Sequence, residues 1–232
     1  MLPTTDIDVV VFDVLGTLVD EPTGLCSAVH TTMPDADAEQ VRSLTERWQR
    51  FVSDQQHEIA IGTRAYVDSE VLDAEAARNV LDAAADMRIA TASEAITHLA
   101  TASRRLPSWP DSVAELDRIV NRLPVLALSN AAPTTLLHLA ARTGMRWHHA
   151  VTAHDVAAYK PSPSLYRRAV HVSGRPPERI LMVAAHAWDL RAAQDAGMRT
   201  CYVDRPVGDP PTASDRFDLT IAGLNELLPD LG

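Results

Sequence analysis

The sequence predicts an α/β fold, a Rossmann-like doubly wound parallel sheet with an inserted helical cap. Two observations indicate it. Five short apolar runs bounded by turn residues recur along the 232 residues, and segments with helical periodicity separate most of them. Short runs rich in β-branched residues are typical of strands buried on both faces of a parallel sheet. Alternation of such strands with helices is the pattern of a layered α/β domain.

The predicted strands, in chain order, are "VVVF" (9–12), "VLAL" (125–128), "ILMVA" (180–184), "CYV" (201–203) and "LTI" (219–221). About a hundred residues between the first and second strands look almost wholly helical, for example "DAEQVRSLTERWQRFVSDQQHEIA" and "SEVLDAEAARNVLDAAADM". These segments have apolar residues every three or four positions and Asp or Ser near their starts. "VDRPVGDPPTASDRFD" near the end is predicted to be a Pro-rich surface loop.

The interruption after the first strand predicts the domain organisation. We expect residues 1–19 and 105–232 to form the core and residues 20–104 a helical cap, with "RRLPSWPDS" as the return linker. Parallel sheets of this kind bind ligands in the crevice at the carboxyl ends of their strands. An insertion there lies over the crevice, so we expect the cap to close it like a lid.

Charge and composition exclude several classes of partner. The formal net charge is -10, from 21 Lys and Arg against 31 Asp and Glu, which opposes binding to nucleic acid or to an anionic membrane. No apolar run approaches the roughly 18 to 20 residues of a membrane span, and "MLPTTDID" lacks the features of a signal peptide. Cys26 and Cys201 stand alone, without the spacing of a disulfide framework or metal site. We therefore expect a cytoplasmic protein.

Polar side chains lie in strand-end or loop segments that we expect to converge at the carboxyl edge of the sheet. The candidates are Asp13, Thr17, Ser129, Asn130, Lys160, Tyr166, His186 and Asp189. Each one alone has a structural interpretation as well. Asp13 suits a turn, Ser129 and Asn130 suit helix caps, and Lys160 suits a solvated surface position. The order and spacing of all of them together favour a functional site.

The combination resembles the haloacid dehalogenase superfamily, and within it the L-2-haloacid dehalogenase branch. "FDVLGTLVD" is similar to the first motif, "LSN" to the second, "YKPSPSLY" to the third and "AAHAWD" to the fourth. The resemblance covers nearly the whole chain, including the helical cap after the first motif. It implies a hydrolase, and because members are often dimeric it also implies a homodimer.

Two positions separate this chain from the phosphatases of that superfamily. They carry Asp-x-Asp in the first motif, where this chain has Asp13 followed by Leu15. They also hold Mg²⁺ with an acid early in the fourth motif, where this chain has Ala185. Mg²⁺ is normally held by one or two carboxylates together with the substrate phosphate. We therefore expect no metal and no other cofactor, and a nucleophile suited to an electrophilic carbon.

The resemblance implies a role for each candidate. Asp13 attacks the carbon that bears the leaving group of a small carboxylic acid, most simply a 2-haloacid, and water hydrolyses the resulting aspartyl ester. Lys160 keeps Asp13 ionised, and Thr17 orients it. Asp189 fixes Lys160 or positions the water, with support from Tyr166. Substrate binding falls to Ser129 and the segments at Leu15 and Asn130.

Two departures concern the substrate. Family dehalogenases place an Arg directly after the cap Trp to draw off the halide, whereas here Gln49 follows Trp48 and Arg50 comes one place later. A shift of one residue turns a helical side chain by about 100°. Arg50 remains the candidate halide ligand. In the fourth motif His186 replaces an amide and is a candidate base for the water or a donor to the halide.

Three other functions remain open at this stage. One is a Mg²⁺-dependent phosphatase that tolerates the missing acid, which predicts loss of activity in chelator. Another is hydrolysis of a different activated carbon, such as a strained ring bearing a carboxylate, for which Gln49 is less damaging. The third is a binding module without catalysis, although such a module has no need of a nucleophile with its supporting charges.

Overall fold

The computed structural model describes residues 7–92 and 94–230. Six parallel strands form one sheet in the order β3-β2-β1-β4-β5-β6, which is the doubly wound order. The strands are β1 (Val9–Asp13), β2 (Val125–Ser129), β3 (His149–Thr152), β4 (Ile180–Ala184), β5 (Arg199–Val203) and β6 (Leu219–Ile221). The α/β class and the five strands predicted from the sequence are confirmed.

Strand β3 was missed by the sequence prediction. It contributes "HAVT" at the edge of the sheet, and only its last two residues, Val151 and Thr152, are buried. A strand that is half exposed and begins with a histidine does not show the continuous apolar run of a central parallel strand.

The helices fall into two groups. The first four follow β1: α1 (Glu21–Thr32), α2 (Ala38–Ala60), α3 (Ser69–Asp86) and α4 (Ala95–Ala100), and a 3-10 turn over Ala102–Arg105 ends this group. The others alternate with the later strands: α5 (Ser112–Val120), α6 (Pro133–Thr143), α7 (Pro163–Ser173), α8 (Ala187–Asp195) and α9 (Leu227–Asp230). Helix α2 begins with a capping box between Asp37 and Gln40, the local signal that the sequence carries for its start.

The chain enters and leaves the four-helix segment at one place. Val19 and Ser108 form an antiparallel bridge, and the backbone N–H of Asp20 donates to the carbonyl of Pro107 over 2.8 Å. The two connections therefore run side by side beside the carboxyl end of β1.

Two apolar clusters cover the two faces of the sheet. One joins Phe12 of β1 to Leu44 and Trp48 of α2 and to Ala76 of α3, so the inserted helices share a core with the sheet. The other packs α7 and α8 against the opposite face through residues such as Leu165 and Leu190. The carboxyl edge of the sheet, next to β1, lies between these layers and the inserted helices.

Candidate active site

Strand β1 ends at Asp13, whose side chain is only 5% exposed. The hydroxyl of Thr17 donates to Asp13 Oδ2 over 2.6 Å, and it accepts from the backbone N–H of Ala185 over 2.9 Å. Gly16 makes this turn with φ of +79°, and a Cβ there would lie 2.6 Å from His186 Nε2. A glycine is therefore required both by the backbone conformation and by the approach of the imidazole.

Lys160 links two carboxylates behind the cavity. Its Nζ donates to Asp13 Oδ1 over 2.9 Å and to Asp189 Oδ2 over 2.6 Å, and Tyr166 donates to Asp189 Oδ1 over 2.5 Å. Burial lowers the pKa of Lys160, but the charges of Asp13 and Asp189 outweigh it and the pKa is raised overall. Burial raises the pKa of the Tyr166 hydroxyl, so it stays a donor. The ammonium of Lys160 therefore lies directly against the carboxylate of Asp13.

The residues after β2 hold the lysine segment in place. Asn130 Oδ1 accepts from the backbone N–H of Lys160 over 2.7 Å, and Asn130 Nδ2 donates to Gln56 of α2 over 3.0 Å. Ser129 is fully buried, and its Oγ accepts from the N–H of Ala131 over 3.1 Å. Neither side chain caps α6, whose N-cap is Ala132. The amide of Asn130 connects the sheet to the inserted helices.

His186 lies on the opposite side of Asp13 from the lysine. Its Nε2 is 3.2 Å from the carbonyl oxygen of Leu15 and 4.0 Å from Asp13 Oδ2. The ring stacks on Trp188 with centroids 5.7 Å apart. Asp209, in the Pro-rich loop predicted from the sequence, accepts from the N–H of Ala187 over 2.8 Å. The loop therefore does not only cover the surface, because it also binds the segment that carries His186.

These groups meet in a cavity of about 280 Å³ between the sheet edge and the inserted helices. Six of the predicted residues line it: Asp13, Leu15, Ser129, Asn130, Lys160 and His186. Thr17 hydrogen-bonds to Asp13, Asp189 accepts from Lys160, and Tyr166 donates to Asp189, so these three support the lining residues from behind. Helix α2 supplies most of the facing wall through Trp48, Gln49, Val52, Ser53 and Gln56. The sequence prediction treated the tryptophans as packing residues, yet both Trp48 and Trp188 face this space.

Arg50 does not face the cavity. Its side chain is exposed on α2, while Gln49 lines the wall, because one residue of helix rotates the side chain away. Arg47 and Arg64 are engaged elsewhere, with Asn79 and with Glu75. Among the residues of 7–92 and 94–230 that line the cavity there is no arginine. The geometry therefore does not support the substrate-binding role predicted for Arg50.

Two further carboxyls line the cavity and were missed from the sequence. Asp73 of α3 is 8% exposed, and burial raises the pKa of its carboxyl to about 7. Burial also raises the pKa of Glu21, which His186 lowers in part. Nothing in the local sequence distinguishes these two acids from the exposed ones on the same helices. The cavity lining therefore holds two carboxyl groups besides Asp13.

A second set of missed residues holds the turn after Asp13. Trp109 Nε1 donates to the carbonyl of Gly16 over 3.0 Å, and Arg205 Nε donates to the carbonyl of Thr17 over 3.1 Å. Arg205 also pairs with Asp111 at 2.9 Å and lies over the Trp109 ring. We call Trp109, Asp111 and Arg205 the turn clamp. Its members come from the return linker and from the loop after β5, far apart in sequence.

The residues present do not fit the metal site of a phosphatase. The positions that carry the additional acids in phosphatases hold Leu15 and Ala185, and the two remaining carboxylates, Asp13 and Asp189, both bind Lys160 Nζ. Over the described ranges, no group of three or more His, Cys, Asp or Glu side chains is arranged to hold a metal ion. No described helix is long and apolar enough to cross a bilayer.

A doubly wound sheet with a buried carboxylate and ammonium array at its switch point defines an α/β enzyme of hydrolase type. The chain belongs to the haloacid dehalogenase-like hydrolase family, whose profile matches residues 7–197. The resemblance noted in the four motifs is thus confirmed.

Known relatives bear on the substrate. The (S)-2-haloacid dehalogenase of Pseudomonas fluorescens is 30% identical over 113 residues, which are 47% of this chain and 50% of that protein. The phosphoserine phosphatase of Thermus thermophilus is 32% identical over 129 residues, 53% of this chain and 51% of that protein. The chain therefore matches about half the length of each. A solved L-2-haloacid dehalogenase superposes with a TM-score of 0.86 and 25% identity over 97% of this chain and 100% of that one.

Proposed function

We propose that this protein hydrolyses the carbon–halogen bond of a small 2-haloalkanoic acid through an aspartyl ester on Asp13, without a metal ion. One observation carries the proposal: Lys160 Nζ binds Asp13 and Asp189 at 2.9 and 2.6 Å, while Leu15 and Ala185 stand where the phosphatases of this family carry their further acids. An ionised carboxylate with an ammonium at its back is a nucleophile that needs no metal.

The reaction has two steps. A carboxylate oxygen of Asp13 attacks C2 of the substrate, and the halogen leaves as halide with the electron pair of the broken bond. Water then adds to the carbonyl carbon of the ester, which releases the 2-hydroxy acid and restores the carboxylate. Lys160 neutralises the charge that moves on Asp13, and Thr17 keeps the carboxylate in one orientation.

The substrate carboxylate is assigned to Ser129 and to the backbone N–H groups near Leu15 and Asn130. The Ser129 hydroxyl accepts from Ala131, which leaves its own proton free to donate into the cavity that it lines. The role of Asn130 is better supported as the link between Lys160 and Gln56 than as a halide ligand, because both ends of its amide are engaged.

The hydrolytic water is assigned to His186. Asp189 binds both Lys160 and Tyr166, so its oxygens hold the lysine in place. His186 Nε2 is 4.0 Å from Asp13 Oδ2, and both side chains line the cavity, so a water beside them in the cavity can contact both. An imidazole is a side chain that can act as a general base toward such a water.

We also propose that residues 20–104 act as a cap over a core of residues 1–19 and 105–232. Support comes from the paired connections at Val19 and Ser108 and from the wall that α2 contributes to the cavity. The substrate would then reach Asp13 when this segment moves away from the sheet edge.

A second candidate is hydrolysis of a carbon bearing a leaving group other than halide. Gln49 stands where dehalogenases carry an arginine, and Glu21 and Asp73 line the same wall. Carboxylates oppose a departing anion and favour a neutral or cationic one. Phosphatase activity is the weaker alternative, because it lacks its acid at Leu15 and its metal ligand at Ala185.

The test is release of chloride from each enantiomer of 2-chloropropionate, with excess EDTA, by the wild type and by Asp13→Asn. Asp54→Asn, an exposed aspartate on α2, is the matched control. We expect release by the wild type and the control and a loss of at least about a thousandfold in Asp13→Asn.

Each outcome separates the candidates. Activity that disappears with EDTA and returns with Mg²⁺ on a phosphate ester would overturn the proposal in favour of a phosphatase. The second candidate would be favoured by a different result. In that case 2-chloropropionate gives no chloride, whereas a carboxylic acid with a different leaving group forms an Asp13 ester that mass spectrometry detects.

A further inference from the structure

A second cavity lies on the other side of α1, away from Asp13. Its volume is about 410 Å³, and none of its lining residues lines the cavity at Asp13. The polar groups that line it are Thr23, Ser27, Thr31, His98, Arg105 and Arg142. The size is within the range of small-molecule sites, and we call this space the α1–α6 cleft.

One wall of the α1–α6 cleft is a row of hydroxyl groups. Thr23, Ser27 and Thr31 are spaced four residues apart on α1, which places them on one face of the helix. Gly24 lies among them, and a Cβ there would come within 2.5 Å of the Leu106 side chain. The glycine thus lets the return linker pack directly against α1 and form the floor of the cleft.

The opposite wall is cationic. Arg105 donates to the carbonyl of His98 over 2.7 Å and to the carbonyl and hydroxyl of Thr101 over 3.0 and 2.8 Å. These bonds fix its guanidinium but leave N–H groups free. Arg142, on the last turn of α6, lines the same space. An adjoining cleft is lined by Arg104, Arg105, His138 and Arg142.

Glu70 pairs with Arg104 at 2.5 Å, but no carboxylate lines the clefts beside Arg105 and Arg142 in the described part of the chain. The protein as a whole, in contrast, carries a net charge of -10. Burial lowers the pKa of Arg105, and the nearby charges of Arg142 and Arg104 lower it further. Like charges in this arrangement are unfavourable until an anion binds between them.

We propose that the α1–α6 cleft binds the phosphate group of a small molecule. Guanidinium groups bind phosphate oxygens through paired charge-assisted hydrogen bonds, and the hydroxyl row supplies further donors. A phosphate offers more acceptor oxygens than a carboxylate and can use both walls at once. Because the cleft does not reach Asp13, this binding is independent of the reaction proposed above.

The test is titration of ¹⁵N-labelled wild-type protein with inorganic phosphate, followed by NMR, against sodium chloride at the same ionic strength. We expect saturable shifts at the amides of Thr23, Ser27 and Thr31. Arg142→Gln should weaken the affinity by about tenfold or more, since it removes a charge-assisted contact. Arg118→Gln, at an exposed arginine on α5 paired with Glu115, should leave the affinity unchanged.

Arg105→Gln gives a second variant, with circular dichroism to check that the turn after α4 remains folded. Equal phosphate affinity in Arg142→Gln and wild type would overturn the proposal, as would shifts that chloride reproduces or that are confined to Ser129 and Lys160. Titration with glycerol phosphate distinguishes whether the cleft binds the phosphate of an ester or free phosphate. Tighter binding than inorganic phosphate assigns the cleft to a phosphate ester, and equal binding assigns it to free phosphate.

Discussion

Asp73 shows how the cavity changes the chemistry of a single side chain. Its carboxyl is buried where α3 lines the cavity, and burial raises its pKa to about 7 from an ordinary value of 3.8. Between these two values the unfolded chain releases the proton while the folded chain keeps it. The free energy of unfolding therefore falls as the pH rises from about 4 to about 7, and levels off above.

Replacing Asp73 by Asn should remove that loss. We expect the free energy of unfolding of Asp73→Asn, taken relative to that of the wild type, to be higher at pH 8 than at pH 4.5. The expected increase is on the order of a few kcal/mol. Urea denaturation at the two pH values measures it, with Asp54→Asn as the exposed control. A difference between variant and wild type that is the same at both pH values would show that ionisation of Asp73 is not the cause.

His186 is the residue that most distinguishes this site from the family pattern. If it activates the hydrolytic water, His186→Asn should slow ester hydrolysis by about a hundredfold while the ester still forms. Intact-mass measurement after a single turnover would then show the Asp13 ester accumulating. His171→Asn, at an exposed histidine on α7, is the control. Unchanged turnover with no accumulated ester would remove the base role from His186.

Between secondary-structure elements, the turn clamp joins three parts of the chain around the nucleophile. Trp109 and Arg205 donate to the carbonyls of Gly16 and Thr17, the two residues that shape the turn after Asp13. Neither Trp109 nor Arg205 lines the cavity, so both affect Asp13 only through the turn that they hold. Arg205 is nearly buried and is held by Asp111, which makes its position well defined.

Loss of one clamp bond should affect the reaction more than substrate binding. We expect Trp109→Phe to lower kcat by about tenfold with little change in KM, because a nucleophile out of position costs rate. Trp147→Phe, at a partly buried packing position, controls for general loosening of the core. An equal fall in Tm for both variants with no fall in kcat for Trp109→Phe would reduce the clamp to a structural role.

The inserted helices and the sheet share one apolar core. Phe12 of β1, Leu44 of α2 and Leu116 of α5 belong to the same buried cluster. Disruption of one part of such a cluster exposes apolar surface of the others. The protein should therefore unfold as one cooperative unit, although its chain organisation suggests a core with an insertion.

Truncation of a buried side chain in α2 tests whether the protein unfolds as one cooperative unit. We expect Leu44→Ala to lower the free energy of unfolding by about 2 to 5 kcal/mol and to keep a single transition. Far-ultraviolet circular dichroism and tryptophan fluorescence should give the same midpoint. Ser43→Ala, at the exposed neighbouring position, should change little. Two separate transitions, with only the first moved by Leu44→Ala, would contradict a shared core.

Local patterns were sufficient for much of this molecule. Five of the six strands, the long helices α2 and α3, and the position of Asp13 at a strand end followed from apolar periodicity and capping residues, whereas the place of Lys160 beside Asp13 and Asp189 was implied by the family resemblance. Each of these signals acts within a few residues of chain, or through the rule that parallel strands end at one edge. Strand β3 escaped because an exposed edge strand lacks that pattern.

The remaining features depend on packing between distant segments. The rotation of α2 placed Gln49 toward the cavity and Arg50 toward solvent, the turn clamp brought residue 205 to residue 17, and the fold buried Asp73 beside the site. No local periodicity specifies which side chains from separate helices and loops will face one another. Those contacts arise from how apolar faces pack in three dimensions, and they set the charge of the cavity and therefore the substrate that it accepts.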